Sequence, residues 1–164
     1  MKKLLGFSIF LVFVLIASLT AEAKVTLPAI FSDNMVLQQN TQVNVWGKAA
    51  PGEKVTVKAS WLDKAVTAKA AANGKWTVKL KTPKATTNQS VTVSGENEIT
   101  INNILIGEVW LCTGQSNMEF PVSRHPDVKW NTGMLNEAEE LKDADYPEIR
   151  LFHVKHQLAH EGEL

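Results

Sequence analysis

Five short stretches of the chain alternate apolar and polar residues with a period of two. Val43 and Val45, Val55 and Val57, Trp76, Val78 and Leu80, Val91 and Val93, and Ile99 and Ile101 all have polar residues between them. Successive side chains of a strand point to opposite faces, so this period predicts strands with one buried face. The breaks are chemically explicit. Pro51-Gly52 separates two strands, Asn73-Gly74 predicts a two-residue hairpin turn, and Ser94-Gly95-Glu96-Asn97 predicts another turn. With the weaker stretches included, roughly seven short strands fall between Val25 and Ile106, the pattern of an antiparallel, immunoglobulin-like β-sandwich.

The pattern changes at Asn102-Asn103. Ile104 to Cys112 is a longer apolar run with little alternation, which predicts a strand buried on both faces. It ends at Thr113-Gly114-Gln115-Ser116-Asn117. Between Met134 and Ala144, Leu135, Ala138 and Leu141 recur at helical spacing, with Glu137, Glu139 and Glu140 early and Tyr146-Pro147 as the stop. Ile149, Leu151, Phe152 and Val154 then predict a further strand. Strand, turn, helix, strand is the opening of a parallel α/β unit, and a parallel sheet needs more strands and two covered faces. Residues 24–103 are therefore expected to form the β-sandwich domain. Residues 104–164 are expected to form the truncated start of an α/β domain.

Residues 1–23 change the picture of where the chain works. Lys2 and Lys3 precede an almost unbroken apolar run from Leu4 to Leu19, and Ala21-Glu22-Ala23 gives small residues at the positions a signal peptidase reads. A retained anchor is the rival reading, since the run nearly spans a bilayer. The small-x-small pattern favours cleavage, so the mature chain is expected to start near Lys24, exported to the periplasm or beyond, with no stable membrane association.

The chain has 164 residues, 45% of them hydrophobic, and a formal net charge of +0. Such a balance gives no concentrated basic face, which argues against nucleic acid as a partner. The single cysteine, Cys112, excludes an internal disulfide. Its place after Val109-Trp110-Leu111 predicts a buried, inert thiol. Neither a metal nor another cofactor is expected, and the oligomeric state is not legible.

Ser116 is the candidate nucleophile. A catalytic serine needs a tight turn after a buried strand, with little bulk around it, so that a backbone N–H can face the developing oxyanion. Leu111-Cys112-Thr113-Gly114-Gln115-Ser116 has that arrangement. A structural turn serine is the other reading of the same residues.

The stretch Gly107-Glu108-Val109-Trp110-Leu111-Cys112-Thr113-Gly114-Gln115-Ser116-Asn117-Met118-Glu119-Phe120-Pro121 resembles the nucleophile block of sialate O-acetylesterases, within the wider SGNH (GDSL-like) hydrolase group. Leu27 to Gln39 is similar to that family's mature start. Ala50-Pro51-Gly52-Glu53-Lys54-Val55 and Asn73-Gly74-Lys75-Trp76 are similar to parts of its small β-domain. Tyr146-Pro147-Glu148-Ile149-Arg150-Leu151-Phe152 resembles the segment after its nucleophile helix. The resemblance implies a serine esterase acting on an O-acetylated sugar through an acetyl-enzyme at Ser116. The Ser116 N–H would be an oxyanion donor. Gln115 would support the oxyanion or the turn. Asn117 is a candidate substrate contact that also reads as fixing the turn, and Trp130 is a candidate substrate contact that reads equally as packing.

The same group carries its general base in a late Asp-x-x-His pair. Here the residues three before His125, His153, His156 and His160 are Val122, Arg150, His153 and Gln157. The chain alone is therefore expected to be an inactive part of an esterase. His125 reads as a solvated loop residue. The spacing of the last three histidines would make a metal face only on a helix, whereas His153 lies in a predicted strand. Trp46 and Trp76 read as core, and Trp61 is the best placed of the three for stacking on a sugar. Glu119 reads as a surface residue. The alternative from another class is a non-catalytic β-sandwich module that binds glycans or the remainder of its enzyme.

Overall fold

The alternation seen in the sequence is the alternation that closes the core. In the strand Lys75–Lys81, Trp76, Val78 and Leu80 are buried while Lys75, Thr77, Lys79 and Lys81 face out. The structure, a computed structural model, describes residues 24–118, 120–124, 127 and 133–154. The expected leader, 1–23, lies outside the described residues. Seven strands are present among the described residues: β1 (Val36–Gln38), β2 (Gln42–Lys48), β3 (Lys54–Ala59), β4 (Val66–Lys69), β5 (Lys75–Lys81), β6 (Thr86–Ser94) and β7 (Glu98–Gly107). A 3₁₀ turn at Ser116–Met118 and the helix α1 (Glu137–Asp143) follow.

The strands form two sheets of unequal size. One has the order β1-β7-β6-β3-β4, and the other pairs β2 with β5. All pairings are antiparallel except β1–β7, which is parallel and joins Val36 to Leu105, Leu37 to Ile106 and Gln38 to Gly107. Val45, Trp76, Val78 and Leu80 from the small sheet share one core with Val55, Val57, Val91, Val93, Ile101 and Ile104 from the large one. Each such side chain, taken out of water, contributes about 1.5–3 kcal/mol before chain entropy is counted. The β6–β7 register slips between Thr86 and Val91, where Asn88 adopts positive φ. This irregular pairing lies beside the run in which Ile104, Leu105 and Ile106 are all buried.

The turns act as their residues require, with one topological difference. Pro51-Gly52 makes a turn closed by Glu53 N–H donating to Ala50 O, with Gly52 at φ 81°. Asn73-Gly74 also makes a tight turn, closed by Gly74 N–H to Ala71 O. It is not a hairpin, however, because β4 pairs with β3 and β5 with β2. The turn carries the chain from one sheet to the other.

Three further expectations are corrected. Trp46 is 43% exposed rather than core, because Val43, Val45 and Gly47 take the inward parity of β2. The strand expected to run to Cys112 ends at Gly107, where its β1 neighbour ends at Gln38; Val109, Trp110, Leu111 and Cys112 are exposed. No strand forms at 149–154, whose apolar residues are exposed and have no ladder beside them among the described residues. The helix is present, though shorter than its pattern, and Trp76 is core as expected. The Trp76 indole N–H is buried without an acceptor among the described residues.

Gly47 is where the backbone most needs a missing side chain. Thr26 and Lys48 exchange both backbone hydrogen bonds, at 2.9 and 3.0 Å, so Thr26 lies directly beside the end of β2 as an antiparallel bridge. A Cβ at Gly47 would stand 2.2 Å from Thr26 O and 3.0 Å from Trp76 Cζ2, and backbone cannot swing away as a side chain can. Gly47→Ala is expected to cost roughly 1–3 kcal/mol in urea unfolding. Gly107→Ala, at a position with nothing within 4 Å, should leave the midpoint within about 0.5 kcal/mol of the parent.

Candidate functional site

The path from the β-sheets to Ser116 starts at the end of the β1–β7 ladder. Gln39 N–H donates to Gly107 O at 2.8 Å, which is the last backbone bond along that edge. The side chains of Gln38 and Gln39 then take over. Gln38 Oε1 accepts from Val109 N–H at 2.9 Å, and its Nε2 donates to Glu108 Oε2 at 3.0 Å. Gln39 Nε2 donates to Glu108 Oε1 at 2.7 Å, while Gln39 Oε1 accepts from Ala85 N–H at 2.8 Å. Gln38 is itself tied down, since the Thr82 hydroxyl, buried below it, donates to Gln38 O at 2.8 Å and accepts from Thr41 N–H at 3.1 Å.

Two amide donors on one carboxylate favour its charged form. The hydrogen bonds from Gln38, and then from Gln39, hold the Glu108 carboxyl below the ordinary glutamate range, outweighing a small opposing effect of desolvation. Glu108 is solvent-exposed, so the two hydrogen bonds act on its proton binding and on local order.

Beyond Glu108 the chain leaves the sheet. Trp110 is 83% and Leu111 90% exposed. Gly114 then lets Met118 fold back, since a Cβ at 114 would stand 2.7 Å from Met118 Cγ. Met118 N–H donates to Gln115 O at 2.9 Å and closes the turn that Ser116 begins. Gln115, Ser116 and Asn117 are all exposed. No histidine or carboxylate is hydrogen-bonded to Ser116 among the described residues. His153 is exposed, whereas Glu119, His125, Trp130, His156 and His160 lie outside the described residues. Downstream, Met134 N–H donates to Val122 O at 2.9 Å and Arg124 N–H to Glu137 Oε2 at 3.2 Å, bringing the loop after Ser116 against the start of α1.

A second junction was not singled out in the sequence. Arg150 donates through its guanidinium to the Asn103 backbone oxygen and, at 3.1 Å, to Asn103 Oδ1. Asn103 Nδ2 donates to Asn34 Oδ1 at 2.7 Å. Both asparagines have positive φ, 52° and 68°, which Asn tolerates better than most residues. Asp33-Asn34 and Asn102-Asn103 were the available signal. Between the two junctions lies a groove of about 1260 Å³, with Met35, Ile106, Trp110, Ile149, Arg150 and Phe152 among its walls. Ser116 does not line it. Trp61 is partly buried, its indole N–H donating to Lys81 O at 2.8 Å.

No protein-family model matches the chain. It is 30% identical over 138 residues to the sialate O-acetylesterase of Mus musculus, covering 77% of this chain and 24% of that protein. The rat (Rattus norvegicus) sialate O-acetylesterase is also 30% identical, over 145 residues, covering 81% of this chain and 25% of its own length. The chain thus spans about a quarter of the length of these relatives. A crystal structure of a carbohydrate acetylesterase from Xanthomonas citri superposes with a TM-score of 0.58 at 35% identity, over 63% of this chain and 24% of that one.

Gln38→Ala should move the Glu108 titration upward, toward ordinary glutamate behaviour, in an NMR carboxyl titration. Because the folded-state pKa is depressed, the associated stabilisation is present above the ordinary glutamate value and is lost as pH falls through the depressed one. Arg150→Ala should speed amide hydrogen exchange around Tyr146 to Phe152 by at least severalfold while leaving β3 and β5 protected. Equal exchange in parent and variant would show that the Asn103 contact does not hold this segment.

Proposed function

The chain belongs to the sialate O-acetylesterase family, and from that premise we propose that it carries the nucleophile of an exported serine esterase acting on O-acetylated sialic acid or related carbohydrates. In this reading residues 1–23 direct export, 24–103 form an immunoglobulin-like β-sandwich domain, and 104–164 open an α/β domain of the SGNH type.

The observation that carries the proposal is the position of Ser116. It is the first residue of a solvent-open turn, two residues after a glycine, in a chain whose relatives are named acetylesterases. Ser116 Oγ attacks the acetyl carbonyl carbon while its proton passes to a histidine base. The carbonyl oxygen becomes an oxyanion facing the Ser116 N–H, with Gln115 supporting that side of the turn. Collapse of the tetrahedral intermediate breaks the bond to the sugar oxygen, which leaves with the proton. Water then attacks the acetyl-enzyme and releases acetate. Asn117 and Trp130 border the sugar in this scheme.

The base and its carboxylate are assigned to the part of the relatives that this chain does not span. The distribution of exposed apolar side chains supports a domain that needs further cover. Of the large hydrophobic residues left exposed among those described, all but Ile30 and Trp46 lie between Val109 and Val154. A serine without its base has little nucleophilic activation, so the chain alone is an inactive part of the enzyme.

A fluorophosphonate probe should not label the chain alone, and should label Ser116 once the chain is joined to the rest of a relative. Ser116→Ala should abolish that labelling and lower acetyl-ester turnover of the joined protein by at least about a thousandfold. Rapid acetyl-ester turnover by the chain alone, lost in Ser116→Ala, would refute the inactive part of the proposal. Full turnover by the joined Ser116→Ala protein would refute the nucleophile.

A further inference from the structure

The outer face of the β2–β5 sheet carries a groove that the esterase chemistry does not use. Strand register builds it. Asn44, Trp46 and Lys48 on β2 and Lys75 and Thr77 on β5 project away from the core, with Trp46 opposite Thr77 and Lys48 opposite Lys75. With Thr26 to Pro28 on one side and Ala68 and Lys69 of β4 on another, they border a space of about 890 Å³.

Three properties of this space point to one class of ligand. The first is an aromatic platform. Trp46 remains 43% exposed, yet its ring is braced by Phe31, with centroids 4.6 Å apart and planes at 78°. An indole so held loses little entropy on stacking, and its face suits the C–H face of a pyranose. The second is charge. Lys48, Lys69 and Lys75 border the groove, no carboxylate does, and none of the three is ion-paired among the described residues. Residues 24–103 carry ten lysines against five carboxylates, an excess that the zero net charge of the whole chain hides, so the wider field here has the same sign. The third is the placement of Asn44 and Thr77 beside the ring, where an amide and a hydroxyl can meet sugar hydroxyls.

We infer that this groove binds a carboxylate-bearing sugar chain, with a pyranose ring against Trp46 and the carboxylate between Lys48 and Lys75. A neutral sugar would leave the lysines unused, and a small inorganic anion would leave the indole unused. The inference stands apart from the esterase reading, since neither Ser116 nor an ester takes part.

The test titrates the full chain with sialyllactose and with lactose, following tryptophan fluorescence and backbone amide shifts at low and moderate salt. Neither sugar carries an O-acetyl group, so the outcome is independent of Ser116. Sialyllactose is expected to bind on the order of tenfold more tightly than lactose at low salt, with the advantage shrinking as salt rises. Lys48→Glu and Lys75→Glu, both at exposed positions, should abolish that preference, and Trp46→Ala should remove binding of both sugars. If Trp46→Ala fails to fold, the lysine variants decide the question. Lys79→Glu, on the same face of β5 but outside the groove, should change little. Equal affinity for the two sugars, no binding of either, or a loss in Lys79→Glu as large as in Lys75→Glu would each overturn the inference.

Discussion

The position of the candidate nucleophile depends on how the chain leaves the end of a three-residue parallel ladder. β1 pairs with β7 only from Val36 to Gln38, and at Gly107 the backbone partner runs out. A strand cannot continue without a ladder, and unpaired backbone groups must find other partners. Here the amides of Gln38 and Gln39 replace the missing strand, one accepting from Val109 N–H and both donating to Glu108. The buried Thr82 hydroxyl holds Gln38 from below, so the last turn of ordered core reaches the exit point through one side chain. Glu108 makes the clamp charge-assisted, which strengthens each bond while leaving it open to protonation.

The two parts of the chain are different kinds of physical object. Residues 24–107 close a core around Leu80, Ile104 and a set of fully buried valines. The described residues between 108 and 154 meet that body through the polar junctions of Gln38 and Gln39 with Glu108 and of Asn103 with Arg150, and they leave most of their large apolar side chains in water. Hydrogen bonds at a surface give direction more than stability, because water competes for both partners. The junctions therefore set where the second segment lies without supplying the burial that would fix its interior.

The sequence was legible wherever one physical rule acted locally. Period-two alternation located the strands, and Pro51-Gly52 and Ser94 to Asn97 located their turns, because both depend on neighbouring residues alone. Trp46 reads as core on hydrophobicity alone, but register decides: with Val43 and Val45 inward, position 46 must face out. Asn73-Gly74 did make a turn, but whether the strands it joins pair with one another is decided by residues far away. The run from Ile104 to Cys112 has strand composition to its end, yet only the first part found a neighbour. The Asn34–Asn103–Arg150 contact links residues 69 and 47 positions apart. No local pattern reports such a meeting.

An exposed serine on a turn has a hydroxyl of ordinary reactivity, and what distinguishes a nucleophile is the layer built over it. Catalysis by an oxyanion site depends on dipoles fixed in place and water kept out, so that charge forming on the substrate meets donors that need not reorganise. Around Ser116 the fixed part is present at both ends: the glutamine clamp lies upstream at Glu108 and Val109, and the contacts of Val122 with Met134 and of Arg124 with Glu137 lie downstream. Between them Met118 N–H donates to Gln115 O, and the side chains of residues 109–118 lie in water. The exposure that would let an ester reach Ser116 Oγ leaves that oxygen without a hydrogen-bonded base among the described residues and would leave an oxyanion there to bulk solvent. Cover over Trp110 and Leu111 would change the dielectric around the turn as well as its packing. The apolar surface and the reactivity of Ser116 are therefore one physical problem.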